Sequence, residues 1–403
     1  VLIGVSGSIA AIEVPRIARE IIRHGADVRV VMSAEATRLL TPEAVEFATG
    51  HPPITTLTGA VEHVAFLGPG PDRADLLLLA PATANTIGKI AHGIDDTPVT
   101  SFASIALGAG VPILLAPAMH ADMSRNPAVA ESLAKLQGFG VGLIVPRAEE
   151  GEEKLPTPEE VAAEVLHRLA RGPWAGRRIL VIGGASREPI DEVRSVTNES
   201  SGATAVALAS EAYHRGAKVS LWLGASEHTA PRYVSVLRWK SVRDLLARVH
   251  GDPGLPLPLD AIWVPAALSD FTLTPRKGKI GSHDRARLEL SLVRAPKVLP
   301  ELRRLAPAPT VLVAFKLESG VSRRALLARA RELRQETGAN WVVANAATNL
   351  GQSRGSWQLL PPRGAVRVLS GEKPQVAGEL LDLVGAAVAR SAATRKDSRP
   401  LRS

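Results

Sequence analysis

Cysteine is absent from this chain of 403 residues, and aromatic residues make up only 3% of it. Without cysteine the chain has no disulfide bond, zinc–thiolate site or cysteine nucleophile of its own. The longest apolar runs, such as LLLLAPATA, are much shorter than the roughly 20 residues that a membrane-spanning helix needs. No basic stretch leads into an apolar signal segment before the first strand at Val1. We therefore expect a cytoplasmic protein with no membrane partner.

The positive charge of the chain sets a second limit on its function. The formal net charge is +8, and part of it lies in the C-terminal sequence RSAATRKDSRPLRS. We predict that residues 391–403 form a disordered basic tail. The remaining charge is scattered and few aromatic residues are present to stack on bases, so we expect no nucleic-acid partner. An anionic small-molecule substrate accounts for the same charge bias.

The order strand, helix, strand occurs in both halves of the chain. VLIGVSG, ADVRVVMS, ADLLLLAPA and GVPILLAPA are apolar runs typical of strands covered on both faces. The second half begins again with RRILVIGG and continues with AKVSLWLG, DAIWVPAA, TVLVAFK and ANWVVAN. These patterns predict an α/β protein with two open, parallel-sheet, Rossmann-like domains. A Pro- and Glu-rich loop and a closing helix precede the boundary, which we place between domains 1–171 and 172–390.

Polar residues follow three of the N-terminal strands at the edge where open α/β sheets bind ligands. The sequences there are SGSIAA, PATANTIGK and PAMHADM, and each leads into a predicted helix. Backbone N–H groups and hydroxyls at a helix start suit an anion, although capping of the helix is an ordinary use of the same residues. Three such exits in one domain, with His63 in VEHV between them, favour a site for an anionic ligand.

The residues of both halves carry a resemblance to known enzymes. GVSGSIAA, VEHVAF, APATANTIGKIAHGIDD and APAMHADM, in that order, resemble the FMN-dependent phosphopantothenoylcysteine decarboxylases. GGASREPIDEVRSVTNESSG, PAALSDF followed by GKI, VAFKLES and VVANAATN resemble phosphopantothenoylcysteine synthetase. The fused order is similar to that of bifunctional coenzyme A biosynthesis enzymes of the archaeal type. The resemblance covers Val1 to about Arg390 and implies an N-terminal flavoprotein domain and a C-terminal synthetase (ligase) domain.

For the first domain, the resemblance implies FMN as cofactor and His63 as the catalytic base. The positions that match FMN-binding residues are Gly7, Ser8, Ser33, Thr83, Ala84 and Asn85. The positions that match substrate-binding residues are Met119, His120 and Met123, with His120 where the family usually has Asn. Many relatives carry a Cys on a clamp over the substrate as a proton donor, and this chain has none. Glu152 and Lys154, in PRAEEGEEKLPTPEE, are the two alternatives for that role.

For the second domain, the resemblance implies ligation of 4′-phosphopantothenate to cysteine with CTP and Mg2+. Asn198 and Lys279 match catalytic residues, and Lys279 is the catalytic cation. The positions that match substrate-binding residues are Arg194, Ser200, Ser201 and Gly202. The positions that match nucleotide-binding residues are Ala266, Asp270, Lys279 and Phe315. The metal ligands stay unknown.

The second domain departs from the family pattern at three places. Ala203 and Thr204 follow SSG where Lys is usual, and RAPKV places Lys297 where an acid is expected. Before the strand ANWVVAN, Arg331 and Arg334 stand in place of lysines. Arginine binds phosphate with a different geometry, so these departures bear on nucleotide preference and on whether the ligase half is active.

The main hypothesis is a bifunctional enzyme that makes 4′-phosphopantetheine by ligation and then decarboxylation. One alternative is an FMN-dependent decarboxylase whose degenerate ligase domain serves assembly. The other is a flavin-binding regulatory protein without catalysis, suggested by the missing Cys. The resemblance further implies a homo-oligomer with a trimeric flavoprotein core, commonly extended to a dodecamer.

Overall fold

A computed structural model of the chain describes residues 1–149, 152–251, 253–281 and 287–397, with the side chains of all except 148–149, 152–153 and 390–397. Contacts divide the chain into two compact units, Val1–Ala170 and Arg171–Ser403. This division lies one residue from the boundary expected from the sequence. Within the described ranges, no helix combines the length and the apolar character needed to cross a membrane.

The first unit is built on a parallel sheet with helices on both faces. Its strands are β1 (Leu2–Val5), β2 (Arg29–Met32), β3 (Leu77–Ala82), β4 (Ile113–Pro117), β5 (Gly142–Leu143), β6 (Arg147–Glu149) and β7 (Glu152–Lys154). Its helices are α1 (Val14–Arg23), α2 (Ala34–Thr37), α3 (Pro42–Thr49), α4 (Glu62–Leu67), α5 (Ala84–Ala91), α6 (Pro98–Ala109), α7 (Ala121–Ser124), α8 (Pro127–Gly138) and α9 (Pro158–Leu169). A short 3-10 helix, Ile9–Glu13, precedes α1.

The five main strands of this unit lie in the order β2-β1-β3-β4-β5, and β6 and β7 form a separate antiparallel hairpin. Every residue of β1, β3 and β4 is buried, as the continuous apolar runs predict for strands covered on both sides. One face packs on α1 and α9, which bury Ile17 and Val161, and the other packs on α5 and α6, which bury Ile87 and Phe102. The hairpin replaces the loop that the sequence predicts there.

The second unit has a larger sheet. Its strands are β8 (Arg178–Gly183), β9 (Arg187–Pro189), β10 (Ser195–Thr197), β11 (Lys218–Leu223), β12 (Ser235–Arg238), β13 (Ala261–Val264), β14 (Phe271–Thr272), β15 (Val293–Arg294), β16 (Val311–Glu318), β17 (Trp341–Ala346), β18 (Arg354–Leu360) and β19 (Arg367–Glu372). Its helices are α10 (Ala203–His214), α11 (Val242–His250), α12 (Val298–Leu305), α13 (Arg323–Thr337) and α14 (Lys373–Asp397).

The main sheet of this unit runs in the order β12-β11-β8-β13-β16-β17-β18-β19. The strands from β12 to β17 are parallel, whereas β18 and β19 are antiparallel additions. Only residues 347–353 connect β17 to β18, which is too short for a crossover helix, so the two strands pair antiparallel. The predicted fold class is confirmed, and the antiparallel pair at one edge was not predicted.

The C-terminal tail differs from its prediction. Helix α14 continues to Asp397, so the backbone of residues 391–397 is helical rather than disordered. The segment SAATRKD is rich in Ala, Arg and Lys, which favour helix, and the prediction gave its charge too much weight. The rest of the predicted tail, 398–403, lies outside the described residues.

Each main sheet has a point where the strand order reverses direction. In the first unit this point lies between β1 and β3, and in the second between β8 and β13. Open α/β sheets bind their ligands at the carboxyl ends of the strands next to such a point. We therefore expect ligand-binding residues directly after these four strands.

Candidate active sites

In the first unit, hydrogen bonds hold the ends of four neighbouring strands in one row. The N–H of Ser33 donates to the last carbonyl of β1 at 3.0 Å, and the N–H of Thr83 donates to Oγ of Ser6 at 2.9 Å. The N–H of Ala118 donates to the carbonyl of Ala82 at 3.0 Å. The exits of β2, β1, β3 and β4, which contain the predicted flavin and substrate residues, therefore lie side by side.

Four of the predicted residues cap the helices that follow these strands. Ser8, Ser33, Thr83 and His120 accept hydrogen bonds from backbone N–H groups two or three residues later, at 3.4, 3.2, 3.3 and 3.3 Å. Capping is thus a real function of these side chains. A hydroxyl that accepts one such bond still has its own O–H to donate. Ser8 and Ser33 can therefore cap a helix and bind a ligand at once.

Gly7 is required by a close approach of the backbone. A Cβ atom at this position would lie 2.4 Å from Cβ of Glu35 at the start of α2. Any side chain would push the exit of β1 away from the exit of β2. Gly7 therefore keeps Ser8 and Ser33 in the same row.

A cavity of about 700 Å3 opens beside this row. Ser8 lines it from the exit of β1, Met119 and His120 from the exit of β4, and Arg147 and Lys154 from the β6–β7 hairpin. The volume falls in the usual range of roughly 300–1,000 Å3 for small-molecule sites. The lining also contains Glu159 and the ion pair of Glu13 with Arg16 at 3.2 Å, and its remaining basic side chains suit an anionic ligand. Met123, which is half-exposed on α7, does not line the cavity.

His63 lies apart from this cavity. It belongs to α4, which packs on α6, and its ring meets the edge of Phe102 with centroids 6.3 Å apart. The cavity opens on the α1 and α9 face of the sheet, whereas α6 covers the opposite face. Nδ1 of His63 is buried and has no hydrogen-bond partner among the described residues. A buried polar nitrogen of this kind is costly unless a ligand or water completes it.

The turn before His63 is strained. Val61 has φ 52°, a left-handed conformation that is unusual for a β-branched residue. Glu62 accepts hydrogen bonds from the hydroxyl and N–H of Thr58 at 2.5 and 3.0 Å, and these bonds lower its pKa. Such strain persists only where its surroundings hold it, and it concentrates at functional sites.

In the second unit, a pocket lies beside the point where the strand order reverses, at the end of β13. It has a volume of about 140 Å3 and is formed by the start of α10 and the carboxyl ends of β13, β16 and β17. Five predicted residues line it together: Ser200, Ser201, Gly202, Ala266 and Phe315. The volume is smaller than the usual roughly 300–1,000 Å3 of a complete small-molecule site, so this pocket accommodates one part of a ligand.

Gly202 sets the shape of this pocket. Its φ of 76° is left-handed, and an added Cβ would lie 2.3 Å from Oγ of Ser226. The same hydroxyl donates to the carbonyl of Ser201 at 3.0 Å. Gly202 therefore lets the chain turn tightly into α10, so that the helix N-terminus, with its partial positive charge, faces the pocket.

Four predicted residues of the second unit do not line this pocket: Asn198, Arg194, Asp270 and Lys279. Asp270 instead forms an ion pair with Lys297 at 2.7 Å, and both side chains are mostly exposed. Lys279 is exposed on the loop between β14 and β15. Asn198 is exposed between β10 and the pocket-lining serines.

Arg194 has an internal role that the sequence did not reveal. Its guanidinium donates to Oδ2 of Asp191 at 3.0 Å and to the carbonyl of Ile280 at 3.1 Å. Asp191 is buried and also accepts from the N–H of Ile280 at 3.0 Å. This bond, followed by those from the N–H groups of Val193 and Arg194 and by the Arg194 charge, holds the pKa of Asp191 below its usual value. The pair thus fixes the backbone beside Lys279.

The pocket contains polar residues that the sequence analysis did not select, among them Glu199, Asn345, Asn349 and Lys373. Asn345 lies near the end of β17 and Asn349 follows that strand, both in the segment VVANAATN, so their position at the end of a strand was an available signal. Lys373 begins α14 and has no motif around it. Arg331 and Arg334 do not line the pocket, and Arg334 donates instead to the carbonyl of Pro361. Within the described residues, no three acidic or histidine side chains cluster closely enough to hold a metal ion.

Comparison with known proteins identifies both units. The flavoprotein family profile matches residues 1–170, and the profile of the DNA/pantothenate metabolism flavoprotein C-terminal domain matches residues 174–387. The coenzyme A biosynthesis bifunctional protein CoaBC of Thermococcus kodakarensis is 40% identical over 95% of this chain and 94% of its own length. The chain belongs to the CoaBC family.

A second member, from Methanocaldococcus jannaschii, is 35% identical over 86% of this chain and 83% of its own length. A third, from Mycobacterium bovis, is 31% identical over 95% of this chain and 96% of its own length. The suspected family is therefore confirmed. With it, the prediction of a bifunctional enzyme of coenzyme A biosynthesis, a decarboxylase joined to a ligase, is also confirmed.

Proposed function

We propose that the second unit ligates 4′-phosphopantothenate to cysteine with CTP, and that the first unit decarboxylates the product to 4′-phosphopantetheine with FMN. The observation that supports this proposal is the position of the two pockets. Each lies at the carboxyl edge of its own sheet and is lined from one strand beside the order reversal, β1 in the first unit and β13 in the second. The chain thus offers two separate sites for two reactions.

FMN fits the row of strand exits in the first unit. We assign the hydroxyls of Ser8, Ser33 and Thr83, with Ala84 and Asn85, to its binding, and Gly7 permits their close approach. When bound, the flavin supplies the redox chemistry of the decarboxylation. The protein binds the substrate with Met119 and His120 and orients it with the cationic side chains of the neighbouring cavity.

His63 is the catalytic base of this proposal, since a neutral imidazole can accept a proton from a bound substrate. Within a single chain His63 does not line the cavity that His120 lines. We therefore propose that neighbouring copies in a homo-oligomer complete the site. Exposed apolar side chains next to Ser8 support such an interface: Ile9 is 70% exposed and Ile12 is 54% exposed. A trimeric core and a dodecamer remain the expected assemblies.

Lys154 is our candidate for the proton donor that replaces the family's clamp Cys. Its side chain lines the cavity together with His120. Glu152, the other alternative, lies among the residues whose side chains are not described. A Lys154→Met enzyme should release CO2 from phosphopantothenoylcysteine but return product slowly, whereas a parent-like rate of product formation would reject the assignment.

In the ligase unit, Ser200, Ser201 and Gly202 hold substrate, and Ala266 and Phe315 hold nucleotide. Lys279 and Asn198 act from the loops that border the pocket, with Lys279 as the cation for the reacting phosphate. Mg2+ enters as the magnesium complex of CTP, since Mg2+ is usually held by substrate phosphates with few protein ligands. The cytoplasmic location stays a prediction.

One observation favours a second candidate, a decarboxylase with an inactive ligase unit. Asp270 is paired with Lys297, and Lys279 stands outside the pocket. A coupled assay separates the two candidates: the protein is incubated with phosphopantothenate, cysteine, Mg2+ and either CTP or ATP. Pyrophosphate and CO2 together support the bifunctional enzyme. Release of CO2 from supplied phosphopantothenoylcysteine without pyrophosphate formation supports the second candidate. If neither pyrophosphate nor CO2 is formed, both candidates are rejected.

A further inference from the structure

One cation faces the ligase pocket without a counter-ion. Among the described residues that line the pocket, Lys373 is the one with a positively charged side chain. Its Nζ makes no hydrogen bond or ion pair with any described residue. Two other lysines near the carboxyl ends of the strands are neutralised, because Lys297 pairs with Asp270 at 2.7 Å and Lys316 pairs with Glu318 at 3.0 Å.

The position of Lys373 is fixed by its backbone. It follows β19 directly and begins α14, and its N–H donates to the carbonyl of Ser353 at 3.0 Å. The side chain is half-buried, and this burial lowers its pKa. Keeping a partly desolvated ammonium without a partner costs free energy, which an anionic ligand would offset.

The rest of the pocket offers donors for the same kind of ligand. The N-terminus of α10 faces it, and Ser200 and Asn345 contribute a hydroxyl and an amide group, whereas the side chain of Asn349 is bonded to the backbone of Ser356 at 2.7 and 3.3 Å. The one acidic residue of the lining, Glu199, is exposed. A pocket of about 140 Å3 with this lining suits a phosphate group rather than a complete nucleotide.

We propose that Lys373 binds a phosphate group of the ligase substrates in this pocket, together with the N-terminus of α10. The inference rests on the proposed ligase function and adds a residue to its site. The phosphate belongs either to the triphosphate of CTP or to 4′-phosphopantothenate, which present the same chemistry to an ammonium group.

Equilibrium binding to the full-length protein tests the inference. Lys373→Met removes the charge, Lys373→Arg restores it, and Lys218→Met is the control at an exposed lysine outside the pocket. Two pairs of ligands are compared, and the members of each pair differ only in their phosphate groups. The pairs are CTP with cytidine and 4′-phosphopantothenate with pantothenate. We expect Lys373→Met to weaken one phosphorylated ligand about tenfold to a hundredfold, while the other three ligands and the control stay unchanged.

Lys373→Arg should restore most of the lost affinity. The ligand that loses affinity identifies the source of the phosphate. Unchanged affinity of Lys373→Met for both phosphorylated ligands, or an equal loss for the ligands without phosphate, would overturn the inference while leaving the ligase function intact.

Failure of the proposed function gives a different pattern. A parent protein that binds neither CTP nor 4′-phosphopantothenate would reject the ligase function itself. Pyrophosphate is then the probe, and equal pyrophosphate affinity of the parent and Lys373→Met would reject the phosphate site as well. Thermal unfolding excludes loss of fold, because removal of an unpaired, half-buried charge should leave Tm equal to or above that of the parent.

Discussion

The two pockets differ in how the chain builds them. In the flavoprotein unit, the predicted site residues follow their strands immediately: the 3-10 helix starts soon after β1, and one residue separates β3 from α5. In the ligase unit, residues 184–202 separate β8 from α10, and residues 265–310 separate β13 from β16. The first site is set by the sheet itself, whereas the second depends on long excursions from the sheet.

This difference decides which predicted residues come together. Ser8, Thr83 and His120 stand in one row because adjacent parallel strands end at the same edge. Lys279 and Asp270 lie within the excursion that follows β13, and neither reaches the pocket. An excursion needs its own anchors, and the buried carboxylate of Asp191 is one of them.

The largest effect that would sharpen the comparison is expected at His63. His63→Asn removes the proposed base, so decarboxylation should fall by about 10²–10⁴-fold while ligation continues. The absorbance of bound flavin should stay, because the proposed flavin contacts lie on other residues. Loss of flavin together with activity would instead show that His63 holds the cofactor.

Lys279 provides the corresponding test in the ligase unit. Lys279→Met should lower kcat for ligation by about 10²–10³-fold through loss of charge stabilisation, with decarboxylation of supplied phosphopantothenoylcysteine unchanged. The matched control is Lys277→Met, an exposed lysine two residues earlier on the same loop. Equal pyrophosphate release by the two variants would remove Lys279 from the mechanism.

Gly202 tests whether the turn into α10 shapes the pocket. Gly202→Ala places a Cβ against Ser226 and requires a left-handed conformation that costs about 1–2 kcal/mol for a residue with a side chain. We expect ligation to fall by about tenfold and Tm of the unit to drop. Gly251→Ala is the control, since a Cβ there meets no atom within 4 Å. Parent-like ligation by Gly202→Ala would contradict the role of this turn.

Asp191 should give the smallest change in activity and a distinct pH signature. Its pKa is lowered in the folded protein, so its contribution to stability is present above the unfolded value of about 3.9 and is lost as pH falls through the folded value. Asp191→Asn should reduce the loss of unfolding free energy at low pH (the acid limb of the stability curve). It should also lower kcat for ligation about 3–10-fold, because Asp191 fixes the loop that carries Lys279. An unchanged acid limb in chemical denaturation would refute the assignment.

Much of the fold could be predicted because buried parallel strands leave continuous apolar runs. The segments ADLLLLAPA and TVLVAFK, predicted as strands, contain β3 and β16 in the structure. The helix predicted before the domain boundary corresponds to α9. The antiparallel pair β18 and β19 was missed, since RGSWQLL and RVLSGE mix polar and apolar residues at the edge of the sheet. Polar and apolar residues alternate in these strands because only one face of each strand packs on the core. In a short segment this alternation is a weak signal for a strand.

Predicted site residues lie together where position along a strand determines position in space. The sequence-based prediction did not find Lys373, because this residue is distant in sequence from the other predicted pocket residues and reaches the pocket through the pairing of β17, β18 and β19. It assigned Arg194 to an anion, although the charge is used within the protein by Asp191. Long-range pairing and internal neutralisation of charge leave no local pattern in the sequence.

The most direct test of two separable sites in one chain is a mixing experiment with two variants. His63→Asn should release pyrophosphate and accumulate phosphopantothenoylcysteine, and Lys279→Met should form product from phosphopantothenate, cysteine and CTP about 10²–10³-fold more slowly than the parent. A mixture of the two proteins should make 4′-phosphopantetheine, because each supplies the site that the other lacks. A mixture that makes no 4′-phosphopantetheine, with both proteins folded and flavin-loaded, would contradict the account.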